Sequence, residues 1–390
     1  MFSTLSNTAV KTSKKAEILG ALGSITKSRS NRSTSDFQQS QIKRFEKFVL
    51  QEISSKLLPK ERVKYCLRHR ITKDAGVKVF FNTVRDKAHY GNLVRCGSVW
   101  NCPVCSAQIS EKRKVELKKA IDNYRNKGGH VYLLTLTNRH NYGDNLSVLL
   151  EGQKKALHYF WADRKTKEKF KQLGKFGHII ATEVTYGDNG WHPHYHILLF
   201  MSKALDFSSF RDFFGSAWVH CCKKSGLKSP TIEHGLDIRD GSYADKYVSK
   251  WGLEDELTKG HIKKGKEGGL TPFDLLRQSV ENPEYEKLFQ QFAVCFKGKR
   301  QLMWTRGLKS ALGIFEQSDE ELAEETENTS VELRELAIEI WHIITKYAKR
   351  AEFLECIEHD YFNHTETANA LVMRLAAFEV VELTSYQDIA

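Results

Sequence analysis

The sequence predicts an α+β protein built around a largely antiparallel sheet. Runs typical of strands alternate along the chain with amphipathic stretches typical of helices. Two strand-like runs, 178–186 and 191–200, are separated only by the turn "GDNG". Such a short connection makes consecutive strands antiparallel neighbours in a hairpin. The 390 residues, 41% of them hydrophobic, suffice for one large or two medium domains.

Four regions follow one another along the chain. Residues 1–40 are rich in Ser, Thr and Lys, so we expect a flexible basic arm. Residues 41–115 begin with a helix, indicated by apolar side chains at helical spacing before Pro59, and continue into a cysteine-containing segment. Residues 116–315 hold the predicted sheet. Residues 316–390 are expected to be an acidic, mostly helical C-terminal region.

The sheet region is predicted to alternate strands with helices. Strands are predicted at 130–138, 178–186 and 191–200, with a short one near 235–241. Helices are predicted at 110–127, 146–173, 206–224, 242–257 and 282–296.

The charge of the chain is divided unevenly. Its formal net charge is +12, yet residues 316–390 hold 18 acidic and five basic side chains. The preceding part is therefore strongly basic, with a net charge of +25. A basic body favours a polyanionic partner, most simply nucleic acid. A solvated basic surface without a partner is the alternative.

The sequence contains no run of about 18 apolar residues, which argues against a membrane span and a membrane partner. Its N-terminus lacks the continuous apolar core of a signal peptide. We therefore expect a cytoplasmic protein. In that reducing compartment, clustered cysteines favour a metal site over disulfides.

Three cysteines form such a cluster. Cys96, Cys102 and Cys105 have the spacing C-x5-C-x2-C, and the last two have the knuckle spacing of structural zinc sites. A closed site needs a fourth ligand, for which Cys66 is the first candidate and His69 the second. The sequence thus predicts a structural Zn²⁺ in a zinc-ribbon-like segment, with reduced, unliganded cysteines as the alternative.

Three histidines alternate along one predicted strand. His192, His194 and His196 share one face because side chains alternate faces in a strand. The two-residue hairpin loop predicts that Glu183 lies directly opposite His194. A carboxylate with imidazoles suits a divalent ion such as Mn²⁺, Mg²⁺ or Zn²⁺. A structural or pH-related histidine cluster is the alternative, and His192, nearest the turn, is expected to be peripheral.

A predicted helix places two tyrosines beside lysines. Tyr243 and Tyr247 are four residues apart in "GSYADKYVSKW", and Lys250 lies on the same face with Lys246 beside them. A lysine favours a nearby phenolate or neutralises a phosphate. Amphipathic tyrosines packed with their polar tips outward are the alternative. A metal, a tyrosine nucleophile and a basic body together imply transesterification of a phosphodiester onto tyrosine.

A segment near residue 300 mixes basic and aromatic side chains, which suits backbone charge and base stacking on single-stranded DNA. The candidate DNA-binding residues are Lys297, Lys299, Arg300, Trp304 and Arg306. A half-buried basic strand with a packed tryptophan is the alternative.

These motifs resemble those of the HUH endonuclease superfamily. His194-Tyr195-His196 matches the His-hydrophobe-His motif, "YLLTLTN" resembles the motif on the neighbouring strand, and "YADKYVSK" resembles the catalytic tyrosine motif. "CGSVWNCPVC" and "FKGKRQLMWTRGLK" resemble segments of the rolling-circle plasmid replication initiators, the Rep family. The resemblance covers about residues 60–310.

The resemblance implies a ferredoxin- or RRM-like central sheet, with the nicking domain at 116–315. It also implies a metal-dependent endonuclease that nicks one strand at the plasmid's double-strand origin, keeps the 5′ phosphate on tyrosine, frees a 3′-OH primer and later rejoins the strand. His194 and His196 carry over as ligands of Mg²⁺ or Mn²⁺, and Glu183 is the expected third ligand.

Tyr247 is the expected primary nucleophile. Tyr243 occupies the position of a glutamate in some relatives, yet the Y-x-x-x-Y spacing matches two-tyrosine members, so it is either a second nucleophile or a substrate-positioning group. Termination chemistry stays open. The alternatives are a two-tyrosine HUH transposase and a non-catalytic zinc-ribbon DNA-binding protein. The acidic tail could form a homodimer, contact a host helicase or shield the basic body.

Overall fold

The computed structural model describes residues 36–240, 269–323 and 329–387. Within these ranges the protein is α+β and its paired strands are antiparallel, which confirms that part of the sequence prediction. The chain divides into two compact units. Unit 1 contains residues up to Gln108 and those from Ser318 onward, and unit 2 contains Ile109–Gln317. No helix in the described ranges is long and apolar enough to cross a membrane.

The elements are numbered in chain order. The first are α1 (Asp36–Leu57), β1 (Val77–Asn82), β2 (Lys87–Gly91), α2 (Pro103–Arg125), β3 (His130–Thr137), α3 (Leu146–Ala162), α4 (Arg164–Gln172), β4 (Lys175–Gly187) and β5 (Gly190–Met201). They are followed by α5 (Phe207–Lys224), α6 (Ile232–Gly235), β6 (Leu236–Asp240), α7 (Pro272–Gln278), α8 (Pro283–Phe296), β7 (Leu302–Trp304), α9 (Leu308–Ala311), α10 (Asp319–Ala323), β8 (Ser330–Leu336), α11 (Ile338–Lys346), α12 (Arg350–Asn363) and α13 (Thr367–Gln387).

Two helix boundaries differ from the sequence prediction for local reasons. The stretch 146–173 forms two helices instead of one, because Asp163 ends α3 and its side chain accepts a hydrogen bond at 2.8 Å from the backbone N–H of Thr166 in α4. Helix α2 begins at Pro103, inside the cysteine knuckle, and not at residue 110. Proline is favourable there because the first turn of a helix needs no N–H donor.

Unit 1 contains a three-stranded sheet in the order β2-β1-β8. Residues 316–390 are expected to be mostly helical, and their described part contains four helices together with one strand, β8, that the sequence analysis did not predict. Strand β8 pairs with β1, and across the pair Lys78 Nζ lies 2.8 Å from Glu332 Oε2. These residues are 254 positions apart in sequence, so local periodicity carries no signal for this pairing.

Unit 2 contains a five-stranded sheet in the order β6-β3-β5-β4-β7, with β5 in the middle. On one face, side chains such as Ile197 and Leu199 pack against helices α3 and α5 through Phe160, Phe214 and Trp218. On the other face, side chains such as Leu198 and Phe200 join a second cluster with Leu117, Ile121 and Tyr124 of α2. The sheet is therefore covered on both faces at the C-terminal half of β5.

Strand β5 explains how a core strand can also carry a polar site. Its residues from Tyr195 to Met201 are all buried. Because faces alternate, His194 and His196 continue the row of Leu198 and Phe200 toward the hairpin turn. The buried half, which includes His196, fixes the strand, and the half nearer the turn presents His192 and His194.

Two candidate metal centres

The β4–β5 hairpin has the register that the sequence predicts. Gly187 pairs with Gly190, and Glu183 pairs directly with His194. Gly190 has φ +80°, a left-handed conformation that glycine adopts without strain. No irregularity interrupts the ladder between the turn and the site, because the only register shift lies at the start of β4, near Lys175. The turn therefore determines which side chains meet.

Glu183, His194 and His196 form one cluster. Glu183 Oε2 lies 3.2 Å from His194 Nε2 and 2.9 Å from His196 Nε2. The two imidazole rings are 4.5 Å apart between centroids and nearly perpendicular, so their Nε2 atoms converge on the carboxylate. All three donor atoms lie within 4.8 Å of one another. The structure thus brings together the three residues predicted as ligands.

The electrostatics of this cluster favour an ionised carboxylate. Burial by itself would raise the pKa of Glu183, but hydrogen bonds from His194 and His196 outweigh it and hold the pKa well below its usual value. The Glu183 side chain is 36% exposed, whereas His196 is 6% exposed. One carboxylate oxygen and two imidazole nitrogens are a donor set that suits Mn²⁺, Mg²⁺ or Zn²⁺. The residues present therefore fit a divalent ion, with one side of the cluster accessible.

A neighbouring strand adds a contact that the sequence analysis missed. Thr135 on β3 pairs with His196, and its Oγ1 lies 3.1 Å from His196 Nδ1. If Nε2 binds an ion, the ring proton must lie on Nδ1, where the Thr135 hydroxyl oxygen would accept it. The hydroxyl of Thr137, two residues along, donates instead to the carbonyl oxygen of His234. The two threonines of "TLT" in the sequence could have indicated a hydroxyl beside the histidines, but only the pairing of β3 with β5 shows that Thr135 is the one that contacts His196.

His192, predicted to be peripheral, lies beside the cluster. Its ring stacks on His140 at 4.6 Å between centroids, with 29° between the planes. His140 is anchored in turn by Nδ1, 3.0 Å from the carbonyl oxygen of Asn189. Burial, with the charge of His194, lowers the pKa of His192 to about 4, so this ring is neutral at pH 7. His192 is not among the three converging donors.

The four cysteines Cys66, Cys96, Cys102 and Cys105 form a second, fully buried cluster in unit 1. Sγ–Sγ distances are 3.5 Å for Cys66–Cys105, 3.7 Å for Cys96–Cys105 and 3.7 Å for Cys66–Cys102. These are far too long for disulfides, which measure about 2.05 Å. Four sulfurs at about 2.3 Å from a tetrahedral Zn²⁺ would be about 3.8 Å apart. The thiols therefore have nearly the spacing that zinc requires.

Backbone donors point at this cluster as they do in metal knuckles. The N–H of Cys96 donates to Cys66 Sγ at 3.4 Å, and the N–H of Cys105 donates to Cys102 Sγ at 3.5 Å. Burial would raise the pKa of Cys102, but hydrogen bonds from Cys105 and Cys66 lower it well below the usual thiol value. His69, the second candidate for the fourth ligand, is exposed and packs edge-on against Tyr65. The geometry selects Cys66.

The predicted catalytic residues Tyr243, Tyr247 and Lys250 lie outside the described residues. Of the predicted DNA-binding residues, Lys297, Lys299, Arg300 and Arg306 are exposed. Trp304 is partly buried in the cluster under α2, with Lys309 Nζ 5.2 Å from its ring centroid. That placement agrees with a packed tryptophan, the alternative to a base-stacking role.

Comparison with known proteins gives three findings. A family model described as "Replication protein" matches residues 92–353. "Protein rep" of Streptomyces lividans is 26% identical over 381 residues, covering 75% of this chain and 83% of the relative. A "Neomycin resistance protein" of Streptomyces cyanogenus is 33% identical over 151 residues, about a third of each chain (32% and 34%). No solved structure gives a significant match.

Proposed function

This chain belongs to the Rep family of replication proteins, and on that premise we propose that it initiates rolling-circle plasmid replication by nicking one DNA strand at the origin. The observation that carries the proposal is the Glu183–His194–His196 cluster on two adjacent strands of the central antiparallel sheet. This placement supports an HUH endonuclease domain of ferredoxin- or RRM-like arrangement in unit 2. An acidic helical tail follows it.

Glu183, His194 and His196 would hold Mg²⁺ or Mn²⁺. A divalent ion bound there supplies Lewis-acid polarisation of a phosphate oxygen. The protein would position the ligands, because the buried half of β5 fixes both imidazoles. Glu183, on the neighbouring strand β4, would neutralise part of the ion's positive charge. Because Glu183 is ionised across the neutral pH range, the site needs no proton loss from that residue before it binds a cation.

Tyr247 is the proposed nucleophile. Its phenol oxygen attacks the scissile phosphorus, the P–O3′ bond breaks, and the phenol proton leaves with the 3′ oxygen to give a free 3′-OH and a 5′-phosphotyrosine. Lys250 would favour the phenolate by charge proximity, and Tyr243 would serve as second nucleophile or position the strand. Rejoining reverses the step, when a 3′-OH attacks the phosphotyrosine.

The basic part of the chain would hold the DNA. The net charge of +25 over residues 1–315 suits binding of phosphates, and exposed Lys297, Lys299, Arg300 and Arg306 are candidate contacts. The cysteine cluster would bind a structural Zn²⁺ that supplies folding free energy to unit 1. In this arrangement zinc would stabilise the fold of unit 1, and the ion at Glu183, His194 and His196 would polarise the phosphate.

The proposal is tested with labelled single-stranded oligonucleotides that tile the DNA beside the coding sequence. Incubation with and without Mn²⁺, followed by denaturing electrophoresis, reports a covalent protein–DNA adduct. We expect a Mn²⁺-dependent adduct in the wild type that is abolished by Tyr247→Phe and His194→Ala and kept by His158→Ala, which changes an exposed histidine. Sequence-specific DNA binding without an adduct on any oligonucleotide would favour a non-catalytic DNA-binding protein.

A two-tyrosine HUH transposase is the second candidate, favoured by the Y-x-x-x-Y spacing of Tyr243 and Tyr247. It predicts that each tyrosine alone supports an adduct and that transposon-end DNA is cleaved in place of an origin. The Tyr247→Phe variant separates the two activities, because the initiator proposal expects no adduct from it and the two-tyrosine transposase expects one through Tyr243. An adduct lost in Tyr243→Phe but kept in Tyr247→Phe would reverse the assignment of the nucleophile.

A further inference from the structure

The C-terminal helices of unit 1 hold the loop that carries Cys66. Arg350, at the start of α12, is 2% exposed, and its Nη1 donates to the carbonyl oxygen of Leu67 at 2.9 Å. Trp341 on α11 is 1% exposed, and its Nε1 donates to the carbonyl oxygen of Arg68 at 2.8 Å. The carbonyls of the two residues after Cys66 are therefore both fixed by side chains from the C-terminal region.

A second contact reaches Cys102. Gln51 on α1 is fully buried, and its Nε2 donates to Cys102 Sγ at 3.2 Å. The other end of the same amide, Oε1, accepts a hydrogen bond from Arg350 Nη1 at 2.8 Å. An N–H donor disperses the charge of a ligating thiolate and fixes its orientation. Arg350 thus supports Cys66 through Leu67 and Cys102 through Gln51.

Further contacts fix the position of the Arg350 side chain and backbone. Its Nη2 lies 3.5 Å from Glu52 Oε2, and its guanidinium lies over the Phe48 ring at 5.1 Å. Its own carbonyl oxygen accepts a hydrogen bond from the Tyr90 hydroxyl at 2.8 Å. A buried arginine is costly unless its donors are satisfied, and here they point at Glu52, Gln51 and Leu67.

We propose that Gln51, Trp341 and Arg350 form an outer hydrogen-bond shell of the cysteine cluster, so that zinc binding and the docking of helices α11 and α12 are coupled. The inference rests on the proposed zinc site and is independent of nicking. The three residues are positioning residues, since none contacts the metal. Coupling of this kind is reciprocal: helices that hold Cys66 and Cys102 in place raise zinc affinity, and zinc stabilises the helices by the same free energy. It gives the C-terminal region a role inside unit 1.

The first test measures zinc affinity by competition with a chromophoric chelator in the full-length protein. Gln51→Met removes both amide hydrogen bonds, and Trp341→Phe removes one N–H while keeping an aromatic ring. We expect zinc affinity to fall roughly 10–100-fold in each variant. Gln153→Met is the matched control, because Gln153 is equally buried but its hydrogen bonds go to Asn138 and Pro193 in unit 2. Affinities within twofold of wild type in both variants would overturn the proposal.

The second test needs no variant and covers the case in which Gln51→Met does not fold. Hydrogen exchange is followed in wild-type protein, zinc-loaded and after chelation. We expect residues 338–363 to lose protection when zinc is removed, and unchanged protection there would refute the coupling. A wild-type protein that binds no zinc would overturn the zinc site and this coupling together, whatever its nicking activity. Nicking that fails while zinc coupling holds would count against the proposed function alone.

Discussion

Replacing Thr135 by valine should weaken metal binding at the proposed Glu183–His194–His196 site without removing a ligand. The substitution Thr135→Val keeps the shape of the side chain and deletes the hydroxyl that lies 3.1 Å from His196 Nδ1. Without metal, the imidazole can change tautomer and tolerate the loss. With metal on Nε2, Nδ1 must carry the proton, and it then has no acceptor at that position. The cost therefore falls on the metal-bound state.

The structure sets the size of this effect. His196 is 6% exposed, so water has little access to replace the hydroxyl. An unsatisfied buried donor costs about 1–3 kcal/mol, which corresponds to roughly 5–150-fold in affinity. The central expectation is a loss of about 10–100-fold, in line with other second-layer contacts of metal ligands.

The assay is a Mn²⁺ titration, by calorimetry and by adduct formation, of zinc-loaded protein. We expect the Mn²⁺ midpoint to rise while the adduct yield at saturating Mn²⁺ stays near that of wild type. The control is Thr137→Val on the same strand and face, whose hydroxyl donates to the His234 carbonyl and not to an imidazole. A Thr135→Val midpoint within twofold of wild type, or an equal shift in Thr137→Val, would refute the reasoning.

Three further predictions concern other parts of the chain. Burial raises the pKa of Glu355 from 4.5 to about 7. Between those pH values the native state binds more protons than the unfolded state, so the free energy of unfolding falls as pH rises through them. Urea unfolding should show that Glu355→Gln increases stability near pH 8 by about 2 kcal/mol and changes it little near pH 4. Cys102→Ser should abolish stoichiometric zinc in metal analysis and expose unit 1 to proteolysis, whereas Cys221→Ser, outside the cluster, should keep the zinc. His192→Ala should leave the Mn²⁺ midpoint within about threefold of wild type, because its ring stacks on His140 and it is not among the three converging donors. A loss as large as that of His194→Ala would make it a ligand.

Local patterns were sufficient for the hairpin and its cluster. Period-two alternation placed His194 and His196 on one face, and the length of the "GDNG" turn fixed Glu183 opposite His194, which the register confirms. The knuckle spacing likewise identified Cys102 and Cys105. For the fourth position the sequence analysis named Cys66 first and His69 second, and Cys66 is the residue that lies in the buried cluster.

Contacts between distant segments were beyond the reach of such patterns. The threonines of β3 are similar in sequence, and only the pairing of β3 with β5 puts Thr135 against His196 and directs Thr137 elsewhere. The basic-aromatic segment near residue 300 left two interpretations of Trp304, and burial under α2 favours packing.

The sequence by itself determined an α+β chain with an antiparallel hairpin, a converging Glu183–His194–His196 face, and cysteines at zinc spacing, because these follow from side-chain alternation, turn length and knuckle spacing over short stretches. Only the tertiary structure decided that β8 completes the sheet of unit 1 and that Arg350 reaches Leu67 and Gln51 beside the cysteines. The reason is physical: backbone ladders and buried ion networks join residues about 250–300 positions apart, and the free energy of such contacts depends on partners that local sequence does not specify.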